Sequence, residues 1–501
     1  MVHVNLNMAK MALEKFCREI KCEDASEVFS RIYLNSGKNF LLESKDISHI
    51  YGRLSLIGVD PVLEIIGKNE QFSIKGLNKR AVEFFAAFDK KDFKMCETVE
   101  FTDGEINGVI KKDMAYFEED KRTKRKNISQ IIRLFLEKFK LENKELLGLY
   151  GAFSYDFIRL FEDIPELLKD EGVDDFRLCL YDTFVFFDHL KDKAEIAVYR
   201  KNAKAAKVEI DDLAAKILNK KVSKKKFKIE NAKFDLDKND YKKLVANARN
   251  LAKRGELFEV VYSNTLRAKF SGDSFALYQK YREINPSPYL FYFNFGDEQL
   301  VGASPEMMVR CENNLVHLRP ISGTAKRGND PIEDHENMLK LLTSKKERAE
   351  LDMLIDLGRN DLARICEPGI KISDYRFVEK YSKVMHTVAH VTGCLKKGYL
   401  ALDALIACLN AGTLTGAPKV AAMVEIEKNE NSRRGYYGGC VGYLAFSGNL
   451  DTGIIIRTAH IRGGQLNFRA GATLLYDSDP VAEYEETMNK ARAFLTTINH
   501  V

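Results

Sequence analysis

The sequence predicts a protein of the α/β or α+β class with much antiparallel sheet, and two observations carry that reading. The 501 residues are 45% hydrophobic and 30% charged, enough apolar content to bury a sizeable core and too mixed for a disordered, fibrous or membrane chain. Short apolar runs rich in β-branched and aromatic residues alternate with polar turns over the first ~215 residues, whereas helical and strand patterns alternate from Tyr241 to the end.

In order, FLLES (40–44), RLSLIGVDP (53–61), LEIIG (63–67), LLGLYGAFSYDFI (146–158) and RLCLYDTFVFF (177–187) read as strands bounded by Gly, Asp and Asn. Helices are expected near 80–89 and 127–140. Residues 203–231 turn Lys-rich and amphipathic with little strand signal, so a boundary is expected there, dividing the chain into segments 1–215 and 235–501. Beyond it, helices are expected at 241–254, 275–283, 335–362, 400–410, 417–427 and 481–497. There is no internal repeat and no low-complexity segment.

Several function classes are disfavoured. The net charge of +5 is small for this length and gives no basic face for nucleic acid; Lys clusters at 121–126 and 219–228 read as solvated surface or linker. The longest apolar runs, such as Leu180 to Phe187, are too short to span a bilayer, and Lys10, Glu14 and Lys15 stand where a signal peptide needs apolar residues, so a cytoplasmic protein is expected. Nine scattered cysteines without a CxxC pair suggest neither zinc nor a disulfide framework. Tryptophan is absent altogether.

Paired carboxylates open the chemistry. Glu347 and Glu350 lie three apart in a helical stretch continued by Leu354 and Leu357, so both are expected to face inward. Glu483 and Glu486 repeat the spacing, with Lys490 and Phe494 following. A single pair is usually a solvated face; two inward pairs demand a cation, and oxygen-only ligands point to Mg²⁺. In Gly-Thr-Leu-Thr-Gly-Ala-Pro-Lys (412–419), Gly416 permits a tight turn and Pro418 suits a helix start, where free N–H groups bind anions and Thr413, Thr415 and Lys419 add donors. Arg457, within strand-like DTGIIIRT, needs an anionic partner. Tyr437, the glycine turn expected at Gly471-Ala472-Thr473, and Gly323-Thr324 after Arg319-Pro320 are further candidates; ordinary turns are the bland alternative.

These residues stand within GASPE (302–306), RPISGT (319–324), KERAELDMLIDLGRNDLARIC (346–366), YSKVMH (381–386), GTLTGAPK (412–419), YYGGCVGY (436–443), LDTGIIIRT (450–458) and EYEETMNKARA (483–493). In that order the blocks resemble the chorismate-utilising enzymes over about half the chain. FLLES, GRLSLIGVDP (52–61) and PSPYL (286–290) resemble anthranilate synthase large subunits in particular. The resemblance implies large antiparallel sheets forming a sandwich-like core flanked by helices. It implies Mg²⁺ on Glu350 and Glu486, with Glu347 and Glu483 beside them or acting through water. Gly323, Thr324, Tyr437, Arg457 and Gly471-Ala472-Thr473 would hold substrate. Glu306 would protonate the departing 4-hydroxyl, His386 would assist pyruvate loss, Thr413 would bond substrate oxygen, and Lys490 joins the catalytic group. Glu43, Ser44, Pro288, Tyr289 and Leu290 would form a tryptophan feedback site.

Two positions separate the relatives. Aminodeoxychorismate synthases often carry a lysine nucleophile where this chain has Ser322. Isochorismate and salicylate synthases activate water with a lysine where it has Glu259, a place that is Gln in many anthranilate-forming relatives. Leu290, where Met is common, and Thr473, where Gly is common, are further departures. Gly438-Gly439-Cys440-Val441-Gly442 imitates an amidotransferase elbow, but only His460 and His500 follow and neither begins a His-x-Glu, so Cys440 reads as a strand residue. Ammonia is therefore expected from solution or from a separate glutamine amidotransferase subunit in a hetero-oligomer. The expected activity is conversion of chorismate and ammonia to anthranilate and pyruvate, the first step of tryptophan biosynthesis. Aminodeoxyisochorismate or aminodeoxychorismate synthesis is the alternative, and a catalytically dead tryptophan sensor is disfavoured because the glutamates and His386 are all present.

Overall fold

The computed structural model describes residues 13–33, 37–45, 54–115, 117–141, 145–219, 225–381 and 384–499. Lys10, Gly52, Arg53, Ser382, Lys383, His500 and residues 220–224 of the 219–228 lysine cluster fall outside them. Among the described residues, two large sheets carry the architecture, and every strand pair is antiparallel.

The first sheet runs Glu14–Ile20, Lys193–Arg200, Thr183–Asp188, Leu54–Val59, Asn39–Glu43, Tyr289–Asn294, Glu298–Ser304, Thr458–Arg462, Gln465–Leu474, Glu259–Gly272 and Phe227–Phe234. The second runs Ile321–Lys326, Val384–Cys394, Leu315–Leu318, Met307–Glu312, Leu450–Ile454, Cys440–Ala445, Gly148–Phe153, Phe176–Tyr181, Leu63–Lys68, Gln71–Gly76, Glu105–Val109 and Thr98–Thr102. Both sheets draw strands from each side of the expected 203–231 boundary. The joins are central: Asn39–Glu43 pairs with Tyr289–Asn294, and Gly148–Phe153 with Cys440–Ala445. Residues 148–153 are buried without alternation, because both faces of the strand are covered. Across the gap, the ring of Phe40 stacks on Tyr150 at 4.6 Å and meets Tyr181 edge-on at 4.8 Å. Gly58 leaves room for Phe40, since a Cβ there would lie 2.1 Å from its ring.

Helices flank the sheets. Pro480–Thr497 packs on strand Gln465–Leu474 and on helices Lys238–Lys253 and Ser274–Ile284, while Lys345–Ile365 packs on helix Ala401–Cys408 and strands Ile321–Lys326 and Val384–Cys394. Among the described residues, no helix is long and apolar enough to cross a membrane.

Several expectations change. The single helix over 335–362 is two, Pro331–Thr343 and Lys345–Ile365, because Ser344 takes an extended backbone and its hydroxyl caps the second helix by accepting from the Glu347 amide at 3.3 Å. The Lys-rich stretch 203–231, expected to carry little strand signal, holds helix Ala203–Leu218, capped by Asn202, and the start of strand Phe227–Phe234. The helix over 80–89 shortens to Ala81–Phe85, followed by an Asp89-capped 3-10 turn. Helix Ala25–Ile32 was not legible at all.

Candidate active site

Two crossovers between the sheets build the centre of the site. Glu298–Ser304 belongs to the first sheet and Met307–Glu312 to the second; Leu450–Ile454 belongs to the second and Thr458–Arg462 to the first. Glu306 and Arg457 sit in these crossovers, tied together where the Ile454 amide donates to the Glu306 carbonyl at 3.0 Å. Arg457 is thus not inside an apolar strand, as expected, but in a segment freed from either ladder. Its backbone is left-handed, φ +49°, a conformation a non-glycine residue keeps only when its surroundings impose it.

The Glu306 carboxyl accepts a hydrogen bond from Thr413 Oγ1 at 2.9 Å. Burial pushes it up to about 7, against the opposing pull of Thr413, Lys490 and Arg457. It is therefore a carboxyl that still carries its proton near neutrality, which suits an acid.

His386 stands on strand Val384–Cys394, near enough to Arg457 to feel its charge, as Glu306 does. The neighbouring strand Ile321–Lys326 is bulged at Ser322–Thr324, and Gly323 takes φ +70°. His386 Nδ1 lies 2.9 Å from the Gly323 carbonyl and 3.0 Å from Thr324 Oγ1. A carbonyl can only accept, so Nδ1 carries the hydrogen and Nε2 keeps its lone pair. Burial lowers the His386 pKa, with Arg457 adding to the effect, so the ring is a neutral base. Gly323 also admits the acidic helix: a Cβ there would come within 2.6 Å of Glu347 Oε2.

The glutamates converge from two helices. Burial raises the Glu350 pKa, and Glu347 and Glu486 push it further. Burial also raises Glu483, opposed by the Ser478 hydroxyl, which donates to it at 2.7 Å, and by Lys490. Glu486 is not inward as expected: its side chain is 55% exposed and pairs with Lys490 at 3.1 Å. Lys490 also donates to the Gly471 carbonyl at 3.0 Å. Among the described residues, no three acidic, His or Cys side chains converge on one preformed metal position. Glu259, buried beside this cluster, is raised to about 8 by burial and by Glu350.

Other candidates take different places. Gly471-Ala472-Thr473 is no turn but the interior of strand Gln465–Leu474, where Gly471 opposes Ser263; a Cβ on Gly471 would meet the Tyr262 carbonyl at 2.4 Å. Lys419 is not free to hold an anion, because it is committed to buried Asp361 at 2.7 Å. Thr415 is fully buried. Tyr437 lies in the turn before strand Cys440–Ala445, with the Arg434 guanidinium 5.5 Å from its ring. Cys440 is buried in that strand, and burial holds its thiol far above the ordinary range, so it is no nucleophile.

At the proposed feedback end, Glu43 lies opposite Leu290 across the joined strands. Both Glu43 oxygens are engaged, by Tyr278 at 2.6 Å and Arg282 at 2.8 Å. Ser44 Oγ is buried and has no hydrogen-bond partner among the described residues. Pro288 is buried, and Tyr289 donates to Asp451 at 2.9 Å while covering Gly453. Tyr241 and Tyr281 carry no local signal in the sequence, because their contacts with Tyr262, Thr487 and Arg457 cross long stretches of chain; Tyr381 and Ser478, bonded to nearby Glu379 and Glu483, also escaped it.

Residues 94–496 match the family model described as chorismate binding enzyme. The chain is 39% identical over 396 residues to anthranilate synthase component 1 of Acetivibrio thermocellus, spanning 74% of this chain and 80% of that one. It is 34% identical over 499 residues to anthranilate synthase component 1 of Buchnera aphidicola, spanning 95% and 96%. The crystal structure of anthranilate synthase component I from Streptococcus pneumoniae superposes with a TM-score of 0.68 at 30% identity, covering 89% of this chain and 93% of that one. The menaquinone-specific isochorismate synthase of Escherichia coli shares the fold, with a TM-score of 0.69 at 16% identity over 98% and 97%.

Proposed function

The chain belongs to the chorismate binding enzymes, and from that premise we propose that it is the chorismate-converting subunit of an anthranilate synthase, acting at the first step of tryptophan biosynthesis. Overall, chorismate and ammonia give anthranilate, pyruvate and water. The observation that carries the reading is the pairing of an acid, Glu306 held by Thr413, with a neutral base, His386, both within the field of buried Arg457.

Arg457 and Lys490 receive the substrate's carboxylate charge. Ammonia attacks ring C2, the double bonds shift, and the 4-hydroxyl leaves as water with the Glu306 proton. His386 Nε2 then takes the C2 proton as the C3–O bond breaks, the ring aromatises, and the released enolate gains a proton at its methylene carbon to become pyruvate. Acid and base so divided serve the two steps separately.

Mg²⁺ fits the acidic face: the donors are carboxylate oxygens, crowded enough to raise one another's pKa, and too few to cage the ion without oxygens from substrate and water. Glu350 and Glu486 would hold it, with Glu347 and Glu483 beside them. When bound it supplies positive charge to the ring carboxylate. Ser322 provides no amine for covalent attack and Glu259 no amine to activate water, which favours ammonia over water as nucleophile. A separate glutaminase subunit would deliver that ammonia in the cytoplasm, and tryptophan would inhibit by binding at Ser44, whose hydroxyl has no other partner among the described residues.

Incubating the purified chain with chorismate, Mg²⁺ and an ammonium salt tests this. Anthranilate fluorescence and pyruvate should rise together, and glutamine should not replace ammonium. Isochorismate formation, or efficient glutamine use by the pure chain, contradicts the reading.

A further inference from the structure

One helix touches both the proposed feedback end and the substrate-binding arginine. From helix Ser274–Ile284, Tyr278 and Arg282 clasp the two oxygens of Glu43 at 2.6 and 2.8 Å. Three residues beyond Tyr278, on the neighbouring part of the same face, Tyr281 donates to the Arg457 carbonyl at 3.1 Å. All three side chains are buried.

A second route runs beside it. The Lys45 amide, next to Ser44, donates to the Ser287 carbonyl at 3.1 Å; Ser287 Oγ donates to the Ala303 carbonyl at 3.2 Å; the Ala303 amide donates to the Arg457 carbonyl at 3.2 Å. Asn285 Nδ2 ties the routes together, reaching Tyr281 Oη and the Ala303 carbonyl, each at 3.3 Å. Both routes end on one atom, the carbonyl oxygen of a residue held at φ +49°.

We infer that Tyr281 is a positioning residue for Arg457, and that the Tyr281–Asn285–Ala303 cluster is the hydrogen-bonded link through which a ligand at Glu43–Ser44 changes chorismate affinity. This rests on the reading above, in which Arg457 holds substrate and the Ser44 end binds tryptophan. The two-state element is the Arg457 backbone, left-handed while its carbonyl is held and relaxed when it is released. A ligand that moves Glu43 pulls on the first route, and one that moves Lys45 pulls on the second. Such coupling needs a difference in ligand affinity between the two states and is reciprocal.

Tyr281→Phe tests the link. It removes one hydroxyl and keeps the ring, which lies edge-on to Phe494 at 5.4 Å. Chorismate KM should rise roughly fivefold, the worth of one buried hydrogen bond, while kcat stays within about twofold. Tryptophan should still bind, read from its own indole fluorescence because the chain contains none. The factor by which tryptophan raises chorismate KM should fall toward one. Asn285→Ala should show the same pattern more weakly.

Without any ligand, the Ala303 amide should exchange its hydrogen roughly tenfold faster in Tyr281→Phe. Unchanged KM, coupling and exchange overturn the inference. So does a parallel loss of kcat and thermal stability without the KM split, which marks a merely structural residue. The exchange readout needs no turnover. A wild type that makes no anthranilate therefore refutes the proposed function, and the Ala303 result still judges the link.

Discussion

Thr413→Val tests Glu306 as the acid of the first step. Valine keeps the shape of threonine and deletes only the hydroxyl that donates to Glu306 Oε1 at 2.9 Å. Glu306 carries its proton below about 7, so the acid form is present on the acidic side and lost as pH rises through that value. The kcat/KM profile, which reports the free enzyme, should therefore fall on its alkaline side with a midpoint near 7. Thr413 favours the ionised carboxylate. A hydrogen bond to a charged group is worth about 1.5–3 kcal/mol, and about 1.4 kcal/mol corresponds to one pH unit. Its loss should move the alkaline limb up by about one to two pH units, whatever happens to the absolute rate. Steady-state kinetics across pH 5–10 at saturating ammonia, corrected for its ionised fraction, provide the assay. Glu259, raised to about 8 by burial and Glu350, is the competing group, and Glu259→Gln is the control that should leave a limb near 7 in place. A limb in Thr413→Val that stays put, or moves to lower pH, refutes the assignment of Glu306 as the acid.

Glu350→Gln and Glu486→Gln should each lower turnover by at least roughly tenfold to a hundredfold with little change in Tm, and EDTA should act reversibly in the same way; near-normal turnover by either variant in metal-free buffer counts against the metal assignment. His386→Ala should consume chorismate yet accumulate an amino-dienoate still bearing its enolpyruvyl group, with anthranilate formation slowed roughly 10²–10⁴-fold; normal anthranilate formation with no intermediate makes His386 a core histidine. Ser44→Phe should abolish both the indole fluorescence change on adding tryptophan and the inhibition, leaving uninhibited activity largely unchanged, whereas undiminished tryptophan binding means the regulatory site lies elsewhere.

Local pattern carried the carboxylate helices and most strands, because helical spacing and short β-branched runs are set by neighbours in sequence. It failed where distant chain decides. Ile454, Ile455 and Ile456 read as one strand through Arg457, yet the strand ends at Ile454 because the chain leaves one sheet for the other. Gly471 reads as a turn, but its missing side chain answers the Tyr262 carbonyl, 209 positions away in sequence, at the 2.4 Å approach of an ideal Cβ. Ser344 hides inside a continuous helical period, since a cap is visible only once the helix it starts is known. The Lys-rich composition of 203–231 describes the solvent face of helix Ala203–Leu218 and says nothing of Ile210, Leu213 and Ile217 buried beneath it. The glutamates' spacing was legible; the solvent exposure of Glu486 was not, because it depends on how helix Pro480–Thr497 lies on its strand.

On the proposed function, this site joins ammonia to chorismate and then expels pyruvate. Mass spectrometry of products formed from chorismate, Mg²⁺ and ¹⁵N-ammonium tests it most directly. Anthranilate should carry one ¹⁵N atom, with one pyruvate released for each molecule formed. Unlabelled isochorismate, or a labelled product that keeps its enolpyruvyl group with no pyruvate released, contradicts it.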